Sequence, residues 1–314
     1  MNGFNHHALH PAGPLAHHIA SFFWVITGVT TLVYLIVMGF LLYALRRRRA
    51  TGIVGDDGMP RVLRNIGIGV GITAVVLIGF AVDDFIANRR LNADQPDPIR
   101  VKVTAHQWWW EVEYVDSQPS LRVTTANELA LPVDRPVMLQ MTSTDVIHSF
   151  WVPNLNGKRD LLPGYTTRLA LIAAQTGAYV GECAEFCGFQ HAHMSIDIAA
   201  KSPQEFARWL EAQRTAAVEP SSDAQRHGRD VFLSKSCHLC HAIQGTEANA
   251  RLGPDLTHLA SRARIAAGAR PNDAANLAAW IADPQGVKPG TRMPATPLSG
   301  TDLNALVAYL GSLR

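Results

Sequence analysis

From Ile19 to Leu45 the chain runs for 27 residues without a charged side chain. Coiled as a helix, that run exceeds the roughly 30 Å hydrocarbon thickness of a bilayer, so it reads as a membrane-crossing helix. A second uncharged run, Ile66 to Val82, is shorter and rich in glycine (Gly67, Gly69, Gly71, Gly79). At about 25 Å it needs flanking residues to complete a crossing. A buried soluble hairpin is the alternative for this second run alone. The expectation is a transmembrane hairpin within residues 1–95, with helices at about 19–45 and 66–86. Mean hydropathy over the 314 residues is only +0.04 because the apolar residues concentrate before residue 87.

Arg46-Arg47-Arg48-Arg49, Arg61 and Arg64 lie between the two runs, whereas the segment before the first holds five histidines and no Lys or Arg. The positive-inside rule makes this loop cytoplasmic and sends both termini outward. A cleavable signal peptide is not expected, because a basic n-region is missing and the apolar run is too long for an h-region. Formal net charge is +2, which gives no reason to propose a nucleic-acid partner.

Beyond a Pro-containing linker (Asp94 to Pro98) the pattern turns strand-like, with Val101, Val103, Trp109, Val112 and Tyr114, then Leu121–Thr125, Val137–Thr142 and Arg168–Ala173. Several short strands in about a hundred residues fit a Greek-key sandwich or barrel, here placed at 96–203. Residues 204–222 begin with a short helical piece and end as a Pro/Ser linker to a final domain at 223–314.

The four cysteines form two close pairs, Cys183/Cys187 and Cys237/Cys240. Disulfides, a zinc site or inert thiols are the ordinary readings of such pairs. Around the first pair the chain reads Cys183-Ala-Glu-Phe-Cys187-Gly-Phe-Gln-His191-Ala-His193-Met194, with Asp145-Val-Ile-His148 upstream. Thiolates, imidazoles and a thioether are the ligands copper prefers, and two cysteines on one loop can bridge two copper ions. Zinc through Cys2His2 would not call for Met194.

The second pair lies in Cys237-His238-Leu239-Cys240-His241, the C-x-x-C-H pattern of c-type haem attachment. Its two thiols add across the haem vinyl groups and His241 reaches one axial face of the iron. Met293, in Gly-Thr-Arg-Met-Pro294, is the methionine downstream that could supply the sixth ligand. Helices around 274–283 and 301–313 would pack on the haem, and His238 and His258 read as surface histidines.

The string C-x-E-x-C-G-x-x-H-x-x-M, the DVIHSFWVP segment and HQWWWEVEY at 106–114 resemble the CuA domain of cytochrome c oxidase subunit II, over roughly residues 15–200. Residues 223–314 resemble a class I cytochrome c, including Arg251-Leu-Gly-Pro-Asp-Leu256, whose proline carbonyl (Pro254) would accept the N–H of His241. The resemblance implies a multidomain chain: a two-helix transmembrane hairpin, an all-β cupredoxin-like Greek-key domain and an all-α cytochrome c domain. It implies His148, Cys183, Cys187, His191 and Met194 as side-chain copper ligands and Glu185 as a carbonyl ligand. The Glu185 carboxylate would also reach a magnesium ion shared with subunit I. His193 competes with His191, and spacing from Cys187 favours His191. Trp108 would be the electron-entry residue, and Asp145 a hydrogen-bond acceptor that orients the ligand loop.

The function so implied is subunit II of a haem–copper cytochrome c oxidase, a proton-translocating oxidoreductase. Electrons would enter at covalent haem c and pass through binuclear CuA to subunit I, where dioxygen is reduced to water. Expected partners are subunit I, subunit III, membrane lipid and an external donor, either cytochrome c or a quinol–cytochrome c reductase. The expected place is the bacterial cell membrane, with the metal domains outside. A departure from the family bears on proton entry: Met59-Pro-Arg-Val-Leu-Arg-Asn65 has no glutamate at the start of the second helix, and Asp56 and Asp57 are the nearest acids. That departure keeps open an alternative, the CuA-bearing subunit of a nitric oxide reductase. A copper-delivery or metal-sensing membrane protein would leave the C-x-x-C-H motif unexplained.

Overall fold

The computed structural model describes residues 5–47, 58–91 and 97–314. Arg48 and Arg49 of the basic loop, Asp56 and Asp57, and Asp94 to Pro96 of the linker lie outside them. The chain divides into two units, one of residues 18–94 and one of residues 1–17 with 95–314.

The smaller unit holds most of α1 (Pro14–Arg46) and all of α2 (Met59–Leu91). Both are long and apolar enough to cross a membrane, and each exceeds the uncharged run from which it was expected. Apolar side chains stand outward along both helices, Phe40 and Val75 at 70% exposure among them, which is the arrangement lipid would cover. Phe22 and Phe80 meet edge to face at 6.0 Å between ring centroids, an aromatic contact that ties the two helices together.

The larger unit begins with a β-sandwich. One sheet holds β1 (Ile99–His106), β2 (Trp109–Tyr114), β3 (Val123–Ala126), β5 (Val137–Ser143) and β8 (Thr167–Leu171), in the order β3-β2-β1-β5-β8. The other holds β4 (Glu128–Pro132), β6 (His148–Trp151), β7 (Arg159–Leu161), β9 (Gly177–Cys183) and β10 (Ser195–Lys201), in the order β4-β10-β9-β6-β7. Burial alternates along β5 and β10, so one face of each strand feeds the shared core of Val103, Trp110, Leu139, Phe150 and Ile198. This is the cupredoxin-like all-β architecture.

The short helical piece expected at the start of 204–222 is a helix of 11 residues that docks on the sandwich. In α3 (Pro203–Gln213), Ser202 and Glu205 form a capping box, and Phe206, Trp209 and Leu210 pack against the sandwich core. Apolar residues at helical spacing on a capped segment gain more from docking than from staying extended.

The terminal domain is helical: α4 (Asp223–Ser234), α5 (Ala274–Ala282), the short α6 (Pro284–Val287) and α7 (Gly300–Leu310). A two-stranded ribbon, β11 (Arg264–Ile265) with β12 (Arg270–Pro271), closes a loop between α4 and α5. Phe232 of α4 and Leu306, Tyr309 and Leu310 of α7 anchor its core. The helices cross at Gly228, where an added Cβ would stand 2.0 Å from the Ala305 carbonyl oxygen. Only a glycine permits that approach.

Candidate functional site

Strand pairing brings the first cluster together. Phe150 of β6 lies opposite Cys183 of β9, so His148 enters the sheet beside the cysteine loop. Cys183 Sγ is 3.7 Å from His148 Nδ1, 3.8 Å from Cys187 Sγ and 3.2 Å from the Glu185 carbonyl oxygen. Cys187 Sγ is 3.7 Å from His191 Nδ1 and 3.9 Å from Met194 Sδ. Ligand atoms of His148, Cys183 and Cys187 lie within 4.8 Å of one another, and all three residues are buried. The two sulfurs therefore form the centre of the cluster, with one imidazole beside each.

The electrostatics suit cations. The hydrogen bond between the two thiols holds Cys183 below the usual thiol range and pushes Cys187 above it. Ionising both sulfurs so close together calls for positive charge beside them. Burial would raise Asp145, but hydrogen bonds from His148, Val146 and Gln107 outweigh it and hold the carboxyl at about 2. His148 Nε2 donates to Asp145 Oδ1 at 2.9 Å, which turns the Nδ1 lone pair toward Cys183. His193, in contrast, is exposed and its Nδ1 meets Gln190 Oε1 at 2.9 Å.

The loop is held from below by Trp108. Its Nε1 donates to the Cys187 carbonyl at 2.9 Å, and Gln107 Nε2 donates to the same oxygen at 2.8 Å. Gly188 takes φ +114, and a Cβ there would stand 3.0 Å from the indole. Gln107 lies in the singled-out HQWWW run yet was not anticipated as a loop anchor. Its partner is 80 residues away, and no local pattern reveals it.

Trp108 also lines a second site, a cavity bounded by Cys237, Cys240, His241, Trp280 and Met293. His241 Nδ1 donates to the Pro254 carbonyl at 2.7 Å, leaving Nε2 as the free ligand atom. Burial pushes His241 below the usual imidazole range, so the ring is neutral, the form that binds metal. A Cβ on Gly253 would stand 2.7 Å from His241 Cε1, so the glycine lets the Arg251–Leu256 loop close behind the ring. Two thiols, a neutral imidazole and a thioether around an apolar cavity fit a c-type haem. His258, expected at the surface, is instead buried at 5% exposure, and its Nε2 lies 3.1 Å from the Thr215 carbonyl oxygen. The connection from α3 to α4 folds back over it. His238 is half-buried, with Nδ1 2.8 Å from the Lys235 carbonyl oxygen.

Two helices able to cross a membrane, a sandwich with a paired-thiol centre and a helical domain with a C-x-x-C-H cavity define a membrane-anchored redox protein. The family model described as "Cytochrome C oxidase subunit II, periplasmic domain" matches residues 117–201, and that of cytochrome c matches 225–314. Cytochrome c oxidase subunit 2 of Alkalihalophilus pseudofirmus is 36% identical, over 98% of this chain and 90% of its own length. The Bacillus subtilis protein of the same name is 31% identical, over 77% of this chain and 70% of its own. Among solved structures, the periplasmic domain of cytochrome oxidase subunit II from Bradyrhizobium japonicum aligns with TM-score 0.36 and 32% identity, covering 38% of this chain and 96% of that one. The chain belongs to the cytochrome c oxidase subunit II family and carries a cytochrome c domain at its C-terminal end.

Proposed function

We propose that this subunit accepts electrons at a covalent haem c and passes them through a binuclear copper centre to subunit I, where dioxygen is reduced to water. The observation that carries the proposal is the position of Trp108, whose indole bonds the Cys187 carbonyl and also lines the cavity of His241 and Met293. In this reading Cys183, Cys187, His148, His191, Met194 and the Glu185 carbonyl would hold the copper pair. Cys237 and Cys240 would attach the haem, His241 and Met293 would ligate its iron, and Pro254 would set the His241 tautomer. Copper and haem supply one-electron redox chemistry with little rearrangement; the chain supplies rigidity, dryness and a fixed order of sites.

Glu185 is exposed beside Phe186 at 76% exposure, an apolar and acidic edge suited to subunit I and to a shared magnesium ion. Subunit III and an external donor, cytochrome c or a quinol–cytochrome c reductase, complete the assembly. Both termini face outward in this reading: the basic loop between the helices outweighs Arg89 and Arg90 on the other side.

Replacing Cys183 and Cys187 together with serine removes the bridging sulfurs and leaves the terminal domain intact. In the assembled complex, rapid mixing with reductant is then expected to reduce haem c at the wild-type rate while the centres of subunit I stay oxidised far longer. Wild-type reduction of subunit I in that variant would mean that haem c bypasses copper.

A further inference from the structure

Lys288 follows α6, five positions before Met293, and is 2% exposed. Among the described residues no carboxylate pairs with it. Its Nζ donates instead to three carbonyl oxygens: Trp108 at 2.7 Å, His193 at 2.8 Å and Ala266 at 3.0 Å. The first two belong to the sandwich and the third to the cytochrome domain. Burial pulls its pKa down to about 7, and in the ammonium form each of the three protons finds one acceptor.

Burying a cation is costly, and three carbonyls offset that cost only where all three converge. Two of them exist for Lys288 only while the domains are docked. A pose shifted by one residue leaves a desolvated ammonium unsatisfied. A group of this kind selects one register rather than adding adhesion. Around it the interface is continuous: Ser195 N donates to the Ala267 carbonyl at 3.0 Å, Gln190 Nε2 to the Pro289 carbonyl at 2.8 Å, and Arg264 Nε to Asp197 Oδ1 at 2.8 Å. Arg262, also buried, donates to Thr125 Oγ1 at 3.3 Å. His193 adjoins Met194, and Trp108 underlies the Cys187 loop, so the pinned register fixes the Met293 edge of the cavity against the cysteine centre.

We propose that Lys288 is a positioning residue that pins the cytochrome domain in one stationary pose on the sandwich, so that electron transfer proceeds without a docking step and external donors meet the cytochrome domain rather than the Trp108 face. The proposal rests on the relay described above, but its test separates the two. In the purified holo-complex, Lys288→Met is expected to raise hydrogen exchange of the Ser195 amide by on the order of tenfold or more, because that bond crosses the interface. Haem-to-copper transfer should slow by on the order of tenfold as the competent pose becomes less populated, and should turn viscosity-dependent. The copper EPR signal and the haem spectrum should not change, which a general loss of structure could not produce. Wild-type exchange and a wild-type rate in Lys288→Met would overturn the proposal.

Should that variant fail to load its metals, the wild-type complex decides the matter. Its transfer rate is expected to be independent of viscosity, and a rate that falls as viscosity rises would mean that the domain moves. Amide exchange reports docking whether or not electrons pass through copper, so a failed relay and a failed pin give different results.

Discussion

Asp145→Asn tests how far the proposed copper ligands depend on the side chain that would orient them. Asp145 Oδ1 accepts from His148 Nε2 at 2.9 Å and from Val146 N at 2.8 Å, and Oδ2 accepts from Gln107 N at 2.8 Å. The Arg292 guanidinium stands 3.8 Å from Oδ2. An asparagine has one oxygen. If that oxygen keeps His148 and Val146, its NH2 faces the Gln107 N–H and the Arg292 cation; in the reverse orientation His148 loses its acceptor. One charge-assisted bond is lost at about 1.5–3 kcal/mol, and a largely buried N–H is left unsatisfied at about 1–3 kcal/mol. Part of that cost falls on the fold and part on His148. Loss of a partner that orients a metal ligand typically lowers metal affinity by about 10–100-fold, or roughly 1.4–2.7 kcal/mol. Competition between the full chain and a copper chelator of known affinity measures this directly. An affinity within about twofold of wild type, with the fold intact by thermal melting, would refute the claim that Asp145 sets the His148 geometry.

Met293→Ala is expected to leave haem attached through Cys237 and Cys240, lower its reduction potential and shift its absorption toward high spin; an unchanged spectrum would assign the sixth ligand elsewhere. Gly228→Ala drives a methyl into the Ala305 carbonyl and within 2.7 Å of Tyr309 Cβ, and should cost about 1–3 kcal/mol in the unfolding of the terminal domain. Equal melting temperatures would show that the helices part freely. Tyr114 is buried, its OH donating to the Ala130 carbonyl at 2.6 Å, and burial holds its pKa well above 10.0. Above pH 10 the unfolded chain therefore binds fewer protons than the native one. The stabilisation present below that pH is lost as pH rises, by about 1.4 kcal/mol per unit. Tyr114→Phe should flatten this alkaline decline in denaturant titrations, and an unchanged slope would contradict the assignment.

The thiol centre was legible because most of its donors sit within twelve residues of one loop, Cys183 to Met194, and a fixed spacing exposes such a set. The cytochrome cavity was legible for a related reason, since Cys237, Cys240 and His241 share one turn. Neighbours created by packing between domains left no such trace. Lys288 is 180 residues from Trp108 in sequence, and nothing in Val-Lys-Pro distinguishes a pinned ammonium from a solvated one. His258 was misplaced because its cover comes from Thr215, on a connection expected to be open linker. The docking of α3 is hidden for the same reason: Phe206 and Trp209 have meaning only against Tyr114, at 6.2 Å and 5.3 Å between ring centroids.

The claim on which the rest depends is that Cys183 and Cys187 bridge two coppers. Its most direct test is metal analysis joined to EPR spectroscopy of the oxidised, purified full chain. Two coppers for each covalent haem, with a seven-line hyperfine pattern from one unpaired electron shared between two metals, are the predicted result. A four-line spectrum from an isolated copper, or a single zinc in place of copper, would contradict it.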